Sequence, residues 1–244
     1  MGISTYGSRI LQRIGVSKDS DAYRRISRTY WGLKSVRGSR YYSQFGEDAA
    51  LTSLLPHDSG FYVDVGAGHA TQGSNTYSLY RKGWHGVLIE PIAENVAACR
   101  ILRPRDRVVQ ALCGNENTSV PFYEFASWQL STTSPDVVQR LSGEGHVPVR
   151  ESTLPMVKLA DLEISASPRS PSLLAVDVEG GEMGVLDGND WETFLPAVVC
   201  IEQWDSPLVS SSPVSERLIS LGYSLYNFVG NSGIWLHRDS RYGR

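Results

Sequence analysis

Two short apolar runs, each ending in residue types that a nucleoside ligand needs, constrain this chain more than anything else in it. Phe61-Tyr-Val-Asp-Val65 is β-rich and runs straight into Gly66-Ala67-Gly68, where missing side chains let a ligand approach the backbone. Val87 to Ile89 is a second such run, and it stops at Glu90, an acid placed to accept hydrogen bonds from both ribose hydroxyls. Strand, glycine turn, helix, strand and acid make the nucleotide-binding half of a doubly wound sheet.

The glycines alone leave the nucleotide open. The dinucleotide pattern Gly-x-Gly-x-x-Gly fails at its last position, Thr71, yet Glu90 follows Gly66 by 24 residues, near the usual offset, so NAD is not excluded. Asp64, inside the first run, tilts the reading toward S-adenosylmethionine (SAM). The methionine ammonium of SAM needs anionic and carbonyl acceptors that a pyrophosphate would repel.

A chain of 244 residues, 41% hydrophobic and 20% charged, supports one large α/β domain with a full core. Cys99, Cys113 and Cys200 are odd in number, widely spaced and set in apolar runs. They read as small buried hydrophobes in a reducing, cytoplasmic compartment, with neither a disulfide framework nor a zinc site. No stretch approaches the length needed to cross a bilayer, and no membrane partner is expected.

Charge divides the chain. Residues 1–40 carry nine Lys/Arg against Asp19 and Asp21, a net of +7, which leaves −10 for residues 41–244. We read 1–40 as a basic N-terminal extension and 41–244 as the catalytic domain. The arm has two accounts: a partly helical extension packing on the acidic body or on a second subunit of a homodimer, or an electrostatic contact to RNA or anionic lipid. An interleaved basic and aromatic surface is missing, so nucleic acid is the lesser account.

The remaining pattern predicts helices from Ser43 to Leu55, from Ser74-Asn75-Thr76 to Lys82 and from Pro91 to Leu102, then a third strand over Arg107–Cys113. Val120–Phe125 alternates like a strand, and Ser127–Arg150 reads as a long polar loop of functional size. Leu173–Asp177 and Ala197–Glu202 are further buried strands, with a helix from Asp177-Val-Glu179-Gly-Gly181 to Leu186 between them. Tyr223–Val229 and Gly233–His237 form a closing hairpin. The fold class is α/β, a Rossmann-like Class I SAM-methyltransferase with a mostly parallel sheet, helices on both faces and a C-terminal antiparallel hairpin. Asp64, Glu90, Asp177 and Glu202 then fall at or near strand carboxyl ends and converge on one crevice.

Seven separated motifs carry a resemblance. Ser43-Gln-Phe-Gly-Glu-Asp48, Phe61-Tyr-Val-Asp-Val-Gly66, Ser74-Asn-Thr-Tyr77, Gly83-Trp84, Ile89-Glu-Pro91, Leu130-Ser-Thr132 and Val176-Asp-Val-Glu-Gly180 stand in an order and spacing that resembles the FkbM-type SAM-dependent methyltransferases, over about residues 41–237. Members of that family methylate hydroxyls of sugars and secondary metabolites, so the resemblance implies a hydroxyl acceptor. It also implies that Gly66, Ala67 and Gly68 carry the methionine part of SAM, Glu90 with Pro91 its ribose, and Leu112 with Ile92 its adenine. Gln44, Asn75 and Thr76 would close over the cofactor.

A hydroxyl is a poor nucleophile while protonated, so a general base must take its proton or a divalent metal must lower its pKa. Asp177, Glu179 and Glu202 form a candidate oxygen-rich Mg²⁺ site, with Asp177 and Glu202 as the chelating pair; helix capping is the other account of Asp177 and Glu179. His69, after the glycines, and His146, in the polar stretch, are candidates to receive the proton. Trp128 and Trp204 either stack on a sugar ring or pack in the core. The reading is a SAM-dependent, Mg²⁺-assisted O-methyltransferase acting on a saccharide or glycosylated metabolite. Its rivals are a metal-independent O-methyltransferase of a polyketide or other small hydroxyl using a His or Asp base, and a nucleic-acid-binding module.

Overall fold

The computed structural model describes residues 17, 20–35, 41–203 and 212–242. Trp204 and most of the basic arm lie outside them. Helices α1 (Asp21–Ser35) and α2 (Glu47–Leu54) precede β1 (Phe61–Val65), α3 (Tyr77–Lys82), β2 (His85–Ile89), α4 (Ala93–Leu102) and β3 (Arg107–Val109). Then come β4 (Leu112–Cys113), β5 (Thr118–Phe125), α5 (Pro135–Gly143), β6 (Pro148–Val157), β7 (Ser172–Val176) and α6 (Glu182–Asp187). The chain closes with β8 (Val198–Glu202), α7 (Pro213–Ser220), β9 (Tyr223–Val229) and β10 (Ser232–His237).

Period-two alternation shows why the apolar runs become one sheet between two helical layers. Tyr62, Leu88, Leu173, Val198 and Cys200 enter one apolar layer, while Val63, Val65, Val87, Ile89, Leu174, Val176, Val199 and Ile201 enter the other. A strand covered on both faces needs apolar residues at successive positions, which is why these segments read as continuous runs. The sheet order is β3-β2-β1-β7-β8-β10-β9, and β10 alone runs against the rest. Chain order reverses between β1 and β7. The carboxyl ends of that pair therefore flank the crevice where a ligand of such a sheet binds.

The start of α2 is capped at a distance. Ser43 Oγ accepts from the amides of Gly46 (3.1 Å) and Asp48 (3.2 Å), and Asp48 Oδ2 accepts in return from the Tyr42 amide at 2.9 Å.

Two expectations need correction. Arg107–Cys113 is not one strand: β3 is an edge strand ending at Val109, and the chain crosses to β4, which pairs in parallel with Met156 and Val157 of β6 in a second sheet of order β4-β6-β5. Ser127–Arg150 is not a featureless loop. It holds a 3₁₀ turn at Trp128–Leu130, helix α5 and the start of β6, with Ser134 Oγ accepting from the Val137 amide and Pro135 in the first turn. Only Leu141 of α5 is buried, so the segment carries too little apolar pattern to announce a helix. Helix α7 was not anticipated, although Ser212 and Pro213 open it in the same way.

The described part of the basic arm packs on the domain. Helix α1 lies against α4, buries Tyr23 and Ser27, and directs Arg24 toward Glu94 at 3.8 Å, while Arg150 of β6 reaches Asp21 at 3.2 Å. No helix among the described residues is long and apolar enough to cross a membrane.

Candidate active site

The crevice between β1 and β7 opens into a cavity of about 830 Å³, within the range of small-molecule sites. Its lining includes Gln44, Gly66, Ala67, Gly68, Glu90, Pro91, Ile92 and Leu112, as well as Asp177 and Glu179. Glu90 is buried at the end of β2 with three of its roughly four lone pairs engaged. Oε1 accepts from the Ile92 amide (2.8 Å) and Asn95 Nδ2 (3.1 Å), and Oε2 accepts from the Gly68 amide at 2.8 Å. In this arrangement one lone pair of Glu90 is left for a ligand, where its position in the sequence suggested hydrogen bonds to two ribose hydroxyls. Burial raises its carboxyl to about 6, against the hydrogen bonds that favour the anion.

Beside Glu90 the cavity has an apolar slot. Ile92, Leu112 and Phe122 form a small cluster, with Trp128, Leu154 and Met156 packed partly buried around it. Phe122 and Met156 come from the second sheet and were missed in the sequence, where Phe122 read as an ordinary strand residue and Met156 fell in no predicted element. Trp128 lies against the glycine turn: a β-carbon on Gly68 would come within 2.4 Å of its ring. That puts its indole on the side of the predicted cofactor residues.

The acid trio assembles at the other end of the same crevice. Val176 of β7 pairs with Ile201 of β8, so the residues that follow, Asp177 and Glu202, stand side by side. Asp177, Glu179 and Glu202 bring carboxylate oxygens within 4.8 Å of one another. Glu179 sits in the left-handed region at φ 55, a conformation that costs a non-glycine residue about 1–3 kcal/mol, and Thr132 Oγ1 donates to its carbonyl at 3.0 Å. Glu202 is 6% exposed; Asn231 donates to its Oε1, and no donor among the described residues reaches Oε2. Burial first, then repulsion from the surrounding acids, pushes all three carboxyls up, Glu179 to about 8. The trio must therefore share protons or hold a cation. Capping does not explain it, because the residue that precedes α6 is Gly181, which offers no side-chain cap, and Glu182 instead accepts from the Gly180 amide.

Asp64, Asn75, Thr76, His69 and His146 do not line the cavity. Alternation puts Asp64 on the Tyr62 side of β1, behind the glycine turn. There its Oδ2 accepts from Thr76 Oγ1 at 2.5 Å and lies 3.9 Å from Arg103. Arg103, fully buried, donates to Thr76 Oγ1, Tyr62 OH and Asp106 at 2.7–2.8 Å. Asp64 and Thr76 thus brace the turn from behind. His69 Nδ1 accepts from the amides of Thr71 (3.2 Å) and Gln72 (3.1 Å), so Nε2 carries the proton and donates to the Arg28 carbonyl at 2.8 Å. With its one lone pair engaged and burial holding its pKa below the usual value, His69 is not a base for an acceptor. His146 is exposed beyond α5.

The model of the methyltransferase FkbM domain matches residues 64–221. The chain belongs to the FkbM methyltransferase family. The match spans the glycine turn, Glu90, the second sheet, the parallel strands from the end of β1 to β8 and the acid trio, and leaves α1, α2 and the closing hairpin outside. The sheet order with β10 inserted antiparallel is the Class I arrangement that the sequence suggested. Among solved structures, this FkbM methyltransferase is similar to a TehB-like SAM-dependent methyltransferase from Corynebacterium glutamicum, at 13% identity and TM-score 0.45 over 90% of this chain and 100% of that one. It is also similar to an O-methyltransferase from Bacillus cereus in complex with SAH, at 11% identity and TM-score 0.41 over 95% and 96% of the two chains. No curated protein matches the chain.

Proposed function

We propose that this FkbM methyltransferase transfers the methyl group of SAM to a hydroxyl of a saccharide or glycosylated metabolite, with Mg²⁺ held by Asp177, Glu179 and Glu202. The observation that carries the reading is the position of the acid trio, two of whose members line the same cavity as the glycine turn and Glu90. The side-chain-free turn suits the methionine part of SAM, the free lone pair of Glu90 one ribose hydroxyl, and the slot at Ile92, Leu112 and Phe122 the adenine. Ser43, Gln44, Asn115, Gln129 and Thr133 add neutral donors and acceptors, and no Lys or Arg stands among the described lining residues. That lining suits a polyhydroxylated acceptor better than an anionic one.

Three carboxylates fit a hard divalent cation, and the orphaned Glu202 Oε2 is a buried atom that a cation would satisfy. When bound, the cation would supply Lewis-acid stabilisation to the acceptor oxygen as its proton leaves. The protein holds acceptor oxygen, methyl carbon and sulfur in line, an orientation worth about 7–11 kcal/mol in favourable systems. The oxygen–carbon bond forms as the carbon–sulfur bond breaks, S-adenosylhomocysteine leaves, and the hydroxyl proton passes to solvent water.

The test is methyl transfer to a carbohydrate panel with Mg²⁺ or EDTA. EDTA should abolish transfer and Mg²⁺ restore it, while Asp177→Ala and Glu202→Ala lose transfer but retain SAM. Full activity in EDTA would favour a second reading, metal-independent transfer with Glu179 as base. Its supporting observation is the Glu179 carboxyl beside the cavity, raised to about 8. Transfer to phenolic or polyketide hydroxyls alone would remove the saccharide.

A further inference from the structure

We infer that Arg28, on a helix outside the segment matched by the family, is a positioning residue for the ribose acid, because it orients the Asn95 amide that donates to Glu90. The inference rests on the proposed reading of the cavity as a SAM site. The Arg28 guanidinium donates to Asn95 Oδ1, and Asn95 Nδ2 donates to Glu90 Oε1 at 3.1 Å, with Asn95 fully buried. Two further contacts pin Arg28 in place. Its carbonyl accepts from His69 Nε2 at 2.8 Å, and its guanidinium lies 5.9 Å from the centre of the Trp128 ring.

A primary amide can present its oxygen or its nitrogen to a neighbour, and an oxygen turned toward the Glu90 carboxylate would repel it. Arg has donors and no acceptor, so it engages only Oδ1 and leaves the NH₂ group for Glu90. Its charge also favours the ionised form of Glu90, against the burial that raises it. The ionisable groups facing Glu90 are Arg28 from α1 and Cys99 from α4. Glu94, Glu124 and Arg24 surround Arg28 in turn, and Arg150 pairs with both of those acids. Arg28 thus holds the acid in both geometry and charge state.

The experiment is calorimetric titration of the full chain with S-adenosylhomocysteine between pH 5 and 8.5, for the wild type, Arg28→Lys, Arg28→Ala and Asn95→Ala. Wild-type affinity should fall as pH drops below about 6, where Glu90 takes a proton. Arg28→Ala should bind about tenfold more weakly at pH 7.5, the scale of one lost hydrogen bond, and its affinity should begin to fall at a higher pH. Arg28→Lys keeps the charge and should keep the wild-type pH midpoint. Asn95→Ala should lose a similar factor, and adding Arg28→Ala to it should cost little more at pH 7.5. Asn95→Ala leaves the Arg28 side chain and its Trp128 contact in place, and Arg28→Lys keeps the charge, so these two carry the test if Arg28→Ala melts. Wild-type affinity in Asn95→Ala, or in Arg28→Ala either a wild-type affinity or weaker binding with an unmoved midpoint, would overturn the inference alone. A wild type that binds no S-adenosylhomocysteine would overturn the cofactor reading and this inference with it.

Discussion

Gly66 and Asp177 meet backbone to backbone: a β-carbon on Gly66 would stand 1.8 Å from the Asp177 carbonyl oxygen. Gly66 also has φ +74, so the position demands glycine for its conformation and for its neighbour. The contact couples the cofactor turn to the first acid of the trio. Gly66→Ala should therefore cost more than the 1–3 kcal/mol that is roughly typical of strain alone and should abolish S-adenosylhomocysteine binding. Melting and titration of the purified variant check this; near-wild-type binding would mean that the turn and Asp177 move independently.

Arg103 makes a second prediction. Removing it leaves Asp64 and Asp106 as buried carboxylates without their cation, so Arg103→Ala should destabilise by about 3–5 kcal/mol. Arg103→Lys should recover little, because a single ammonium cannot reach Asp106, Tyr62 and Thr76 together as the guanidinium does. Urea unfolding of the three proteins measures the difference.

The acid trio predicts a pH dependence whose sign follows from its raised values. Carboxyls that titrate near 4 when unfolded and higher when folded bind more protons in the folded state. Their stabilising contribution is full below about pH 4 and is lost as pH rises, through about 8 for Glu179. In EDTA the melting temperature should decline across that window, and Mg²⁺ should raise it most at the alkaline end. Glu202→Gln removes one charge and gives Asp177 a donor, so it should melt higher in EDTA and respond less to Mg²⁺. A melting temperature blind to both pH and Mg²⁺ would remove the trio as a charged cluster.

His69 predicts the opposite slope. Its folded value is held below the ordinary 6.5, so its contribution is full above that pH and is lost as pH falls through the lower folded value. Protonation ends the acceptance at Nδ1 that orients the ring toward the Arg28 carbonyl. Protection factors in α1, corrected for the intrinsic exchange rate at each pH, should fall between pH 7.5 and pH 5, and His69→Ala should show low protection at both. His146→Ala should leave exchange and methyl transfer unchanged.

Strands β1, β2, β7 and β8 were legible because burial on both faces writes itself as a short continuous apolar run, and Gly66, Glu90, Asp177 and Glu202 mark their carboxyl ends. The hairpin was legible from its turn at Gly230-Asn231-Ser232. The second sheet was not: β6 alternates half-buried and exposed positions and carries Arg150, Glu151, Ser152 and Thr153, so its pattern resembles solvated chain. Asp64 was misassigned because strand-end position was used where facing direction decides, and its direction follows from Tyr62 two residues earlier. The burial of Arg103 had one local signal, Asp106 three residues on, which reads as an ordinary surface ion pair; its other partners Tyr62, Ser74 and Thr76 come from 27 to 41 residues away.

The place of β10 has a consequence for how the molecule is made. It is the last strand described in the chain, yet it lies inside the sheet between β8 and β9. During synthesis β8, buried along its whole length in the finished fold, must wait with an open apolar edge until residues 232–237 leave the ribosome. An open edge of that kind pairs readily with other chains. Insertion of β10 is therefore the step that seals the β8 edge, and a chain truncated before Ser232 would leave that edge of the sheet unpaired.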